Sequence, residues 1–506
     1  MKNIFNSIQL QKPSTNMFDL SHDVKLSFNM GELVPIMCME CVPGDKFRLG
    51  ADSLLRLAPL SSPMMHRCDQ TIHYFFVPNR LLWPNWETWI TDTQTETLPA
   101  HPVVSIADSN YSRLMDYLGI PVPTASEAEA VSALPFAVYQ KIWFDYYRDQ
   151  NVQPMDEEDI RCTDGNNTGS SDLFTLRNRA WEHDYFTSCL PWAQKGAPVS
   201  IPITANFPDV PVKINSLDSG TTLSGSPESA IVDNGTPVGG IVIGDDSNEL
   251  YAQTSSLTAD GTGTINDLRR AYRLQAWLEK FARGGSRLVE VIYQMFGVKS
   301  SDARLQRAEY ITGIKSPVVI SEMPSTVQTD DLPQGNLAGK GVSVEQGQYG
   351  SYYCEEHGFI MGIISVMPKT AYMQGIEKMW LKYQDKTQLY WPDFANIGEQ
   401  EVLNKELLAF QGPTGDDTFG YIPRYAEYKY MNNRVAGDFR TSLKSWHMAR
   451  EFNHELPPAL NDDFIVSDPT SRVFAVTDPD VQKLYAHVLN KVTAIRPMPK
   501  FGTPQF

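Results

Sequence analysis

Several groups of residues in this sequence have the types, and nearly the spacing, that chemistry requires. Cys38 and Cys41 stand in CMEC, a CxxC that with His66 and Cys68 would offer the soft donors of a tetrahedral zinc site. The surrounding ELVPIMCMECV reads as an extended strand, however, and a separation of three puts the two thiols on opposite faces, so no metal is expected. GNLAGKG (335–341) has the look of a phosphate-cradling loop, but it is one residue short, and Gly341 stands where a hydroxyl would hold magnesium. His454 and Glu455, in HELPP, lack the second histidine of a zinc-protease helix, and Pro457 and Pro458 would break such a helix. The acidic run DEED (156–159) lacks the spacing of a calcium loop and reads as solvated surface. No GxSxG occurs, and no nucleophile lies beside a recognisable base motif. The motifs ask for no catalytic residue, no metal and no cofactor.

The elements that would have to position such residues are rich in rings instead. In TIHYFFVPNRLLWPNW (71–86), counting by twos puts Ile72, Tyr74 and Phe76 on one face of a strand and His73, Phe75 and Val77 on the other. A half-buried strand would alternate with polar residues. This one therefore belongs inside a sandwich, with something further packed over its outer side. Trp83, Trp86 and Trp89 follow at spacings of three, which on a short helix makes one aromatic stripe. In SALPFAVYQKIWFDYYRDQ (132–150), Ser132 and Pro135 mark a helix start, and Phe136, Tyr139, Trp143 and Tyr146 or Tyr147 recur at three and four. Tyr74, Phe76, Trp83, Trp86 and Trp143 are thus candidates for core or for a subunit interface, since buried rings contribute about 1.5–3 kcal/mol in either setting.

The remaining pattern is mostly strand and turn: DVKLSF, LVPIMCMECV, KFRLGADSLLRL after a PGD turn, GFIMGIISVMP, RVFAV and YAHVLNKVTAI. Residues 399–410 read as helix-compatible. No βαβ alternation or internal repeat is visible, so an all-β-dominated chain is expected, and 33 glycines and 34 prolines agree with long loops. The length of 506 residues fits two to four domains or one sandwich with long insertions. Six scattered cysteines read as free thiols. With no apolar run of signal-peptide or membrane-spanning length, a cytosol-like site of synthesis and no membrane insertion are expected.

The formal net charge of −17 argues against a surface that grips nucleic acid as a whole, but the charge is segregated. Residues 207–263 hold eight acids, among them Asp218, Asp233, Asp245 and Asp246, and one base. Residues 265–315 hold ten bases and five acids, and residues 424–450 six bases and two acids. TINDLRRAYRLQAWLEKFARGG reads as an amphipathic helix stopped by glycines, with Leu268, Leu274, Leu278 and Phe281 on one side and Arg269, Arg273, Lys280 and Arg283 opposite. Such a basic stripe is either a solvated face or a surface for a partner or nucleic acid.

Taken in order, the blocks FDLSHDVKLSFNMGELVPIMCMECVPGDKF, HYFFVPNRLLWPNW, SALPFAVYQKIWFDYYRDQN, HDYFTSCLPWAQKG, DARLQRAEYITG, EHGFIMGIISV, GEQEVLNKE and IPRYAEYKY resemble the major capsid proteins of the Microviridae, in their gokushovirus-like branch. The resemblance spans nearly the whole chain except 204–264, where that family carries its most variable insertion. It implies an eight-stranded antiparallel jelly-roll sandwich forming one discontinuous domain over 1–506. A partly helical insertion is expected at 105–150, a surface insertion with a threefold spike for host attachment at 206–262, and a helical insertion at 265–310. It further implies pentamers and a T=1 shell of sixty copies around a circular single-stranded DNA genome, made in a bacterial cytoplasm. The implied partners are a small basic DNA-binding protein, other minor virion proteins and a host surface receptor. On that reading Arg269, Arg273, Lys280 and Arg283 face the lumen, and Asp218, Asp233, Asp245 and Asp246 lie on the exposed spike. The competing classes are a secreted or surface carbohydrate-active β-sandwich enzyme and a receptor-binding module that forms no shell.

Overall fold

Alternating or continuous apolar runs become strands where the pattern places them: β1 (Asn16–Asp19), β2 (His22–Phe28), β3 (Val34–Cys41), β4 (Lys46–Leu57) and β5 (Cys68–Pro78). In the second half follow β6 (Glu309–Pro317), β7 (Val319–Pro324), β8 (Leu337–Gln346), β9 (Gly350–Tyr353), β10 (Gly358–Pro368), β11 (Glu399–Leu403), β12 (Thr418–Pro423) and β13 (Leu484–Arg496). The computed structural model describes residues 14–501 apart from 92–97, 124–127, 198, 200–204, 284–286, 325–336, 348 and most of 207–264. The chain divides into a larger unit, Met1–Ala193 with Phe281–Phe506, and a smaller one, Gln194–Lys280.

Two antiparallel sheets organise the larger unit. One runs β6-β5-β10-β3; the other runs β1-β13-β4-β8-β7, with β2 also pairing with β13 and β9 with β4. Their inner faces share one apolar core, in which Ile72, Tyr74 and Phe76 of β5 meet Phe47, Leu49 and Leu55 of β4 and Val488 and Val492 of β13. Polar groups staple the sheets across this core. Tyr74 donates to Asn490 Oδ1 at 2.7 Å, Asn490 donates to the Ile36 carbonyl at 3.0 Å, and Gln70 donates to Ser53 Oγ at 2.6 Å. These bonds tie one sheet to the other at fixed positions, which sets their register as apolar contacts alone would not. Gly362, paired with Tyr74, leaves room for the ring; a Cβ there would lie 2.7 Å from Tyr74 Cε1.

The outer face of β5 is covered as well. Phe75 and Val77 enter a second core with Trp83, Met361 and the helix Leu134–Ile142 (α1), whose Phe136, Tyr139 and Ile142 point into it. The helix widens into a π turn at Trp143–Tyr147 before ending. β5 is therefore the shared wall of two cores, as its unbroken apolar run requires. The strands Val103–Ile106 and Glu129–Ser132 pair beside this layer.

A third apolar cluster joins Tyr185, Phe186, Tyr372, Leu407, Phe419 and Phe464 around the β11–β12 hairpin. Here two readings of the sequence are corrected. Residues 399–410 are not a helix: Glu399–Leu403 pairs with Thr418–Pro423, and only Asn404–Leu407 makes a helical turn. RVFAV is a turn with a single bridge from Phe474 to Leu60, because Leu60 offers it no longer partner strand. In the smaller unit, Val212–Ile214 pairs with Thr221–Thr222 and Leu250–Ala252, Ala205–Asn206 pairs with Asp260–Gly261, and the helix α2 (Ile265–Arg283) begins. Among the described residues no helix is long and apolar enough to cross a membrane.

Candidate functional site

The candidate rings separate by surroundings. Tyr74, Phe76, Trp83 and Trp143 are buried within the chain's own cores, and Trp86 is half-buried against the second one. The aromatic stripe is built differently from the single helix its spacing predicts. Pro84 restricts Trp83 to extended backbone (φ −139°, ψ 115°), so one short helix ends at Leu82 and another starts at Trp86. The three indoles still gather, with ring centres 5.5–6.4 Å apart, and Trp83 Nε1 donates to Asp164 at 2.6 Å.

Cys38 packs on the outer core while Cys41 lies in the inner one, on opposite faces of β3 as the spacing requires. Burial pushes the Cys38 and Cys68 thiols up to about 12, which keeps them protonated and poor nucleophiles. Asp156, Glu158 and Asp159 of the acidic run are exposed, and Glu157 alone is engaged. Glu157 accepts from buried Lys141 at 2.8 Å and from Arg161 at 2.8 Å, and Lys141 also reaches Asp145 at 3.2 Å. A buried lysine between two carboxylates explains the charge at this edge of the outer core.

The basic stripe is partly as predicted. Arg269, Arg273 and Lys280 are exposed on α2, and so are Leu268 and Leu274 of its apolar side. Arg283 departs from the stripe. It belongs to the larger unit, where its guanidinium pairs with Glu399, a carboxylate only 7% exposed, and reaches the Ser188 carbonyl. The helical period put it in the basic arc, but the nearby β11 carboxylate captures it. Asp218, Asp233, Asp245 and Asp246 lie outside the described residues.

The sequence reading missed a second stretch of exposed rings. Trp380, Tyr383, Tyr390, Trp391, Phe410 and Met431 are 47–91% exposed within one stretch of about 50 residues. Their supports are polar and fixed. Lys382 lies 3.9 Å over the Tyr428 ring and pairs with Glu427, while buried Glu406 accepts from Tyr185 at 2.8 Å and Lys378 at 3.1 Å. Trp380, Phe410, Tyr430 and Met431 rim a cavity of about 390 Å³. Phe410 is 91% exposed and holds a positive φ of 64°, so among the described residues its ring is left to solvent while its backbone sits in the left-handed region. Rings set rigidly at a surface are what a docking partner buries. The missed signal was MW, KYQ and YWPDF clustered without helix or strand period.

A family model described as "Capsid protein (F protein)" matches residues 7–506. The chain is 34% identical to the capsid protein VP1 of Chlamydia phage 1, over all of this chain and 98% of that one. It is also 34% identical to the capsid protein VP1 of Bdellovibrio phage phiMH2K, over 99% of this chain and 97% of that one. Against the capsid protein VP1 of Spiroplasma virus 4 the identity is 31%, over 96% and 94%.

Proposed function

Because the chain belongs to the capsid protein (F protein) family of small single-stranded DNA phages, and is thus a structural virion component and not an enzyme, we propose that sixty copies close, through pentamers, into a T=1 shell around a circular genome. Strand order is the observation that carries this reading furthest. Eight main strands, β2, β3, β4, β5, β6, β8, β10 and β13, alternate between the two sheets in chain order except at β5–β6. The orders β3-β10-β5-β6 and β2-β13-β4-β8 support the reading of an eight-stranded jelly roll, a double-sheet fold used by viral capsid domains. The sandwich is then one discontinuous domain carrying insertions at 105–150, 206–262 and 265–310. The exposed rings of 377–431 are assigned to contacts between copies.

The acidic insertion 206–262 is the outward spike that meets a host receptor, and Asp218, Asp233, Asp245 and Asp246 belong to it. Arg269, Arg273 and Lys280 face the lumen and neutralise phosphate without reading sequence, beyond a Debye length of about 8 Å from the acidic spike. Arg283 stays with Glu399. Acidic chains around an acidic genome leave a charge deficit, which a small basic DNA-binding protein offsets inside the particle, beside other minor virion proteins.

Electron microscopy and nuclease-protected DNA content test this reading on particles with Arg273 and Lys280 reversed to glutamate. Intact shells depleted of DNA are expected. Shells that fail to form at normal genome levels would move the stripe to a contact between copies. Deleting 206–262 should leave shells and reduce adsorption; loss of folding would remove the spike assignment.

A further inference from the structure

Behind the π turn of the outer-core helix lies a cavity of about 660 Å³ whose walls include Tyr147, Arg148, Arg179, Trp181, Arg283 and Arg287. Four guanidinium groups line this cavity, and among the described residues two of them touch a carboxylate. Arg283 has Glu399, and Arg287 has Glu290 at 3.1 Å. The other wall carboxylates are engaged elsewhere: Glu182 holds Lys315 and Lys369, and Asp149 accepts the Asn151 and Val152 amides at 2.8 and 3.2 Å.

Arg148 and Arg179 therefore have no ion pair among the described residues. Arg148 is only 6% exposed, its Nη1 donates to the Gln153 carbonyl at 2.6 Å, its plane lies 4.0 Å over Phe144, and its Nε has no partner. Arg287 donates to the Arg148 carbonyl at 2.9 Å, which brings a second cation beside it, and its Nε is likewise unpartnered. Burial, and then the Arg287 charge, hold Arg148 below its ordinary pKa. Arg179 donates weakly to Thr71 Oγ1 at 3.4 Å, stands 5.7 Å from the Tyr147 ring centre, and has an unpartnered Nε. The Ala180 amide donates to the Tyr147 carbonyl at 3.0 Å, which pins the two arginine-bearing segments side by side.

Arg148 is buried and Arg179 half-buried, and although Asp145 and Asp149 act on Arg148 from a distance, neither guanidinium touches a carboxylate; one oxyanion between the two supplies charge-assisted hydrogen bonds to both at once. We infer that this cavity is a binding site for a phosphate-type oxyanion, held between Arg148 and Arg179 with Arg287 alongside. Planar, permanently charged donors favour the spread oxygens of phosphate over a compact halide. The site lies outside the α2 stripe and does not depend on which way that stripe faces. The phosphate can be free ion or a phosphodiester of a nucleic-acid backbone; the chemistry of the site is the same.

Isothermal titration of the full-length chain with inorganic phosphate, with acetate and with a short oligothymidylate tests the assignment, each at ionic strength matched with chloride. Saturable phosphate binding is expected, weakened about tenfold or more in Arg179→Gln and restored in part by Arg179→Lys. Arg148→Gln should weaken it further where near-ultraviolet circular dichroism shows a native fold; Arg179→Gln decides the question if it does not. Oligothymidylate binding tighter than phosphate, lost in the same variants, assigns the site to a backbone phosphodiester, and phosphate binding alone assigns it to the free ion. No saturable phosphate binding, equal binding of acetate, or affinity unchanged in Arg179→Gln would overturn the proposal.

Discussion

The chain has two stretches dense in rings, β5 with the tryptophans that follow it and the segment 377–431, and they end in opposite surroundings. In the first, Tyr74, Phe76 and Trp83 are under 2% exposed; in the second, Trp380 is 68% and Phe410 91% exposed. Composition does not separate them. Regular structure does: the side chains of β5 point alternately to two faces, each covered by its own core, whereas Trp380 and Trp391 sit at the short 3₁₀ turns Lys378–Leu381 and Pro392–Phe394. Ring content measures the apolar area that the finished particle must cover. Periodicity tells how much of it one copy covers by itself.

The largest effect that would break this contrast is at Trp83. Its ring fills the outer core and its Nε1 holds Asp164, so Trp83→Ala should cost about 3–5 kcal/mol of chain stability. Trp380→Ala removes a ring of the same size from the exposed set and should change the chain's stability by less than about 0.5 kcal/mol, while lowering shell yield. Urea titration of unassembled chain and sedimentation of assembled particles read the two quantities separately. Comparable destabilisation by both substitutions would remove the distinction between the regions.

The two-faced wall can be sharpened through the histidine on its outer face. His73 Nδ1 lies 2.7 Å from the Tyr147 hydroxyl, and burial, then the charges of Arg179 and Lys315, lower its pKa from 6.5 to about 4. The folded chain therefore holds His73 neutral where the unfolded chain takes up a proton. Stability attributable to this group is intact above pH 6.5, falls as pH drops from 6.5 to about 4, and is flat below that. The loss is on the order of 3 kcal/mol at most. His73→Gln should flatten the acid side of the stability profile over that window, and an unchanged profile would show that the outer face of β5 is wet.

Much of the sandwich was legible in the sequence. KFRLGADSLLRL and GFIMGIISVMP coincide with β4 and β10, and the demand that both faces of β5 be covered is met by the two cores. The failures have physical causes. Residues 399–403 carry a helix-compatible composition but meet a partner strand at 418–423, and pairing overrides propensity. The tryptophan stripe was read as one helix without Pro84 acting on Trp83. Arg283 was assigned by helical period alone, which carries no information about a carboxylate more than a hundred residues away. The arginine cavity was invisible for the same reason, since Arg148, Arg179 and Arg287 converge only through the fold.

The smallest expected effect has opposite signs in the chain and in the particle. Phe410 sits in left-handed backbone, which costs a side-chain-bearing residue roughly 1 kcal/mol and costs glycine almost nothing. Its ring touches mostly solvent, so removing it forfeits little packing within the copy. Phe410→Gly gives up some of the backbone gain because glycine is freer in the unfolded chain. The net should be a stabilisation of the unassembled chain by a few tenths of a kcal/mol, up to about 1. If neighbouring copies cover this ring, the same substitution should reduce shell yield or lower the melting temperature of assembled particles. A strained, exposed ring kept at a cost to the monomer is then explained by what it contributes to the assembly. Melting curves of unassembled chain and of particles, taken side by side, decide it: a gain in both would show that Phe410 serves no contact between copies, and a loss in both would show that the ring is held by its own chain.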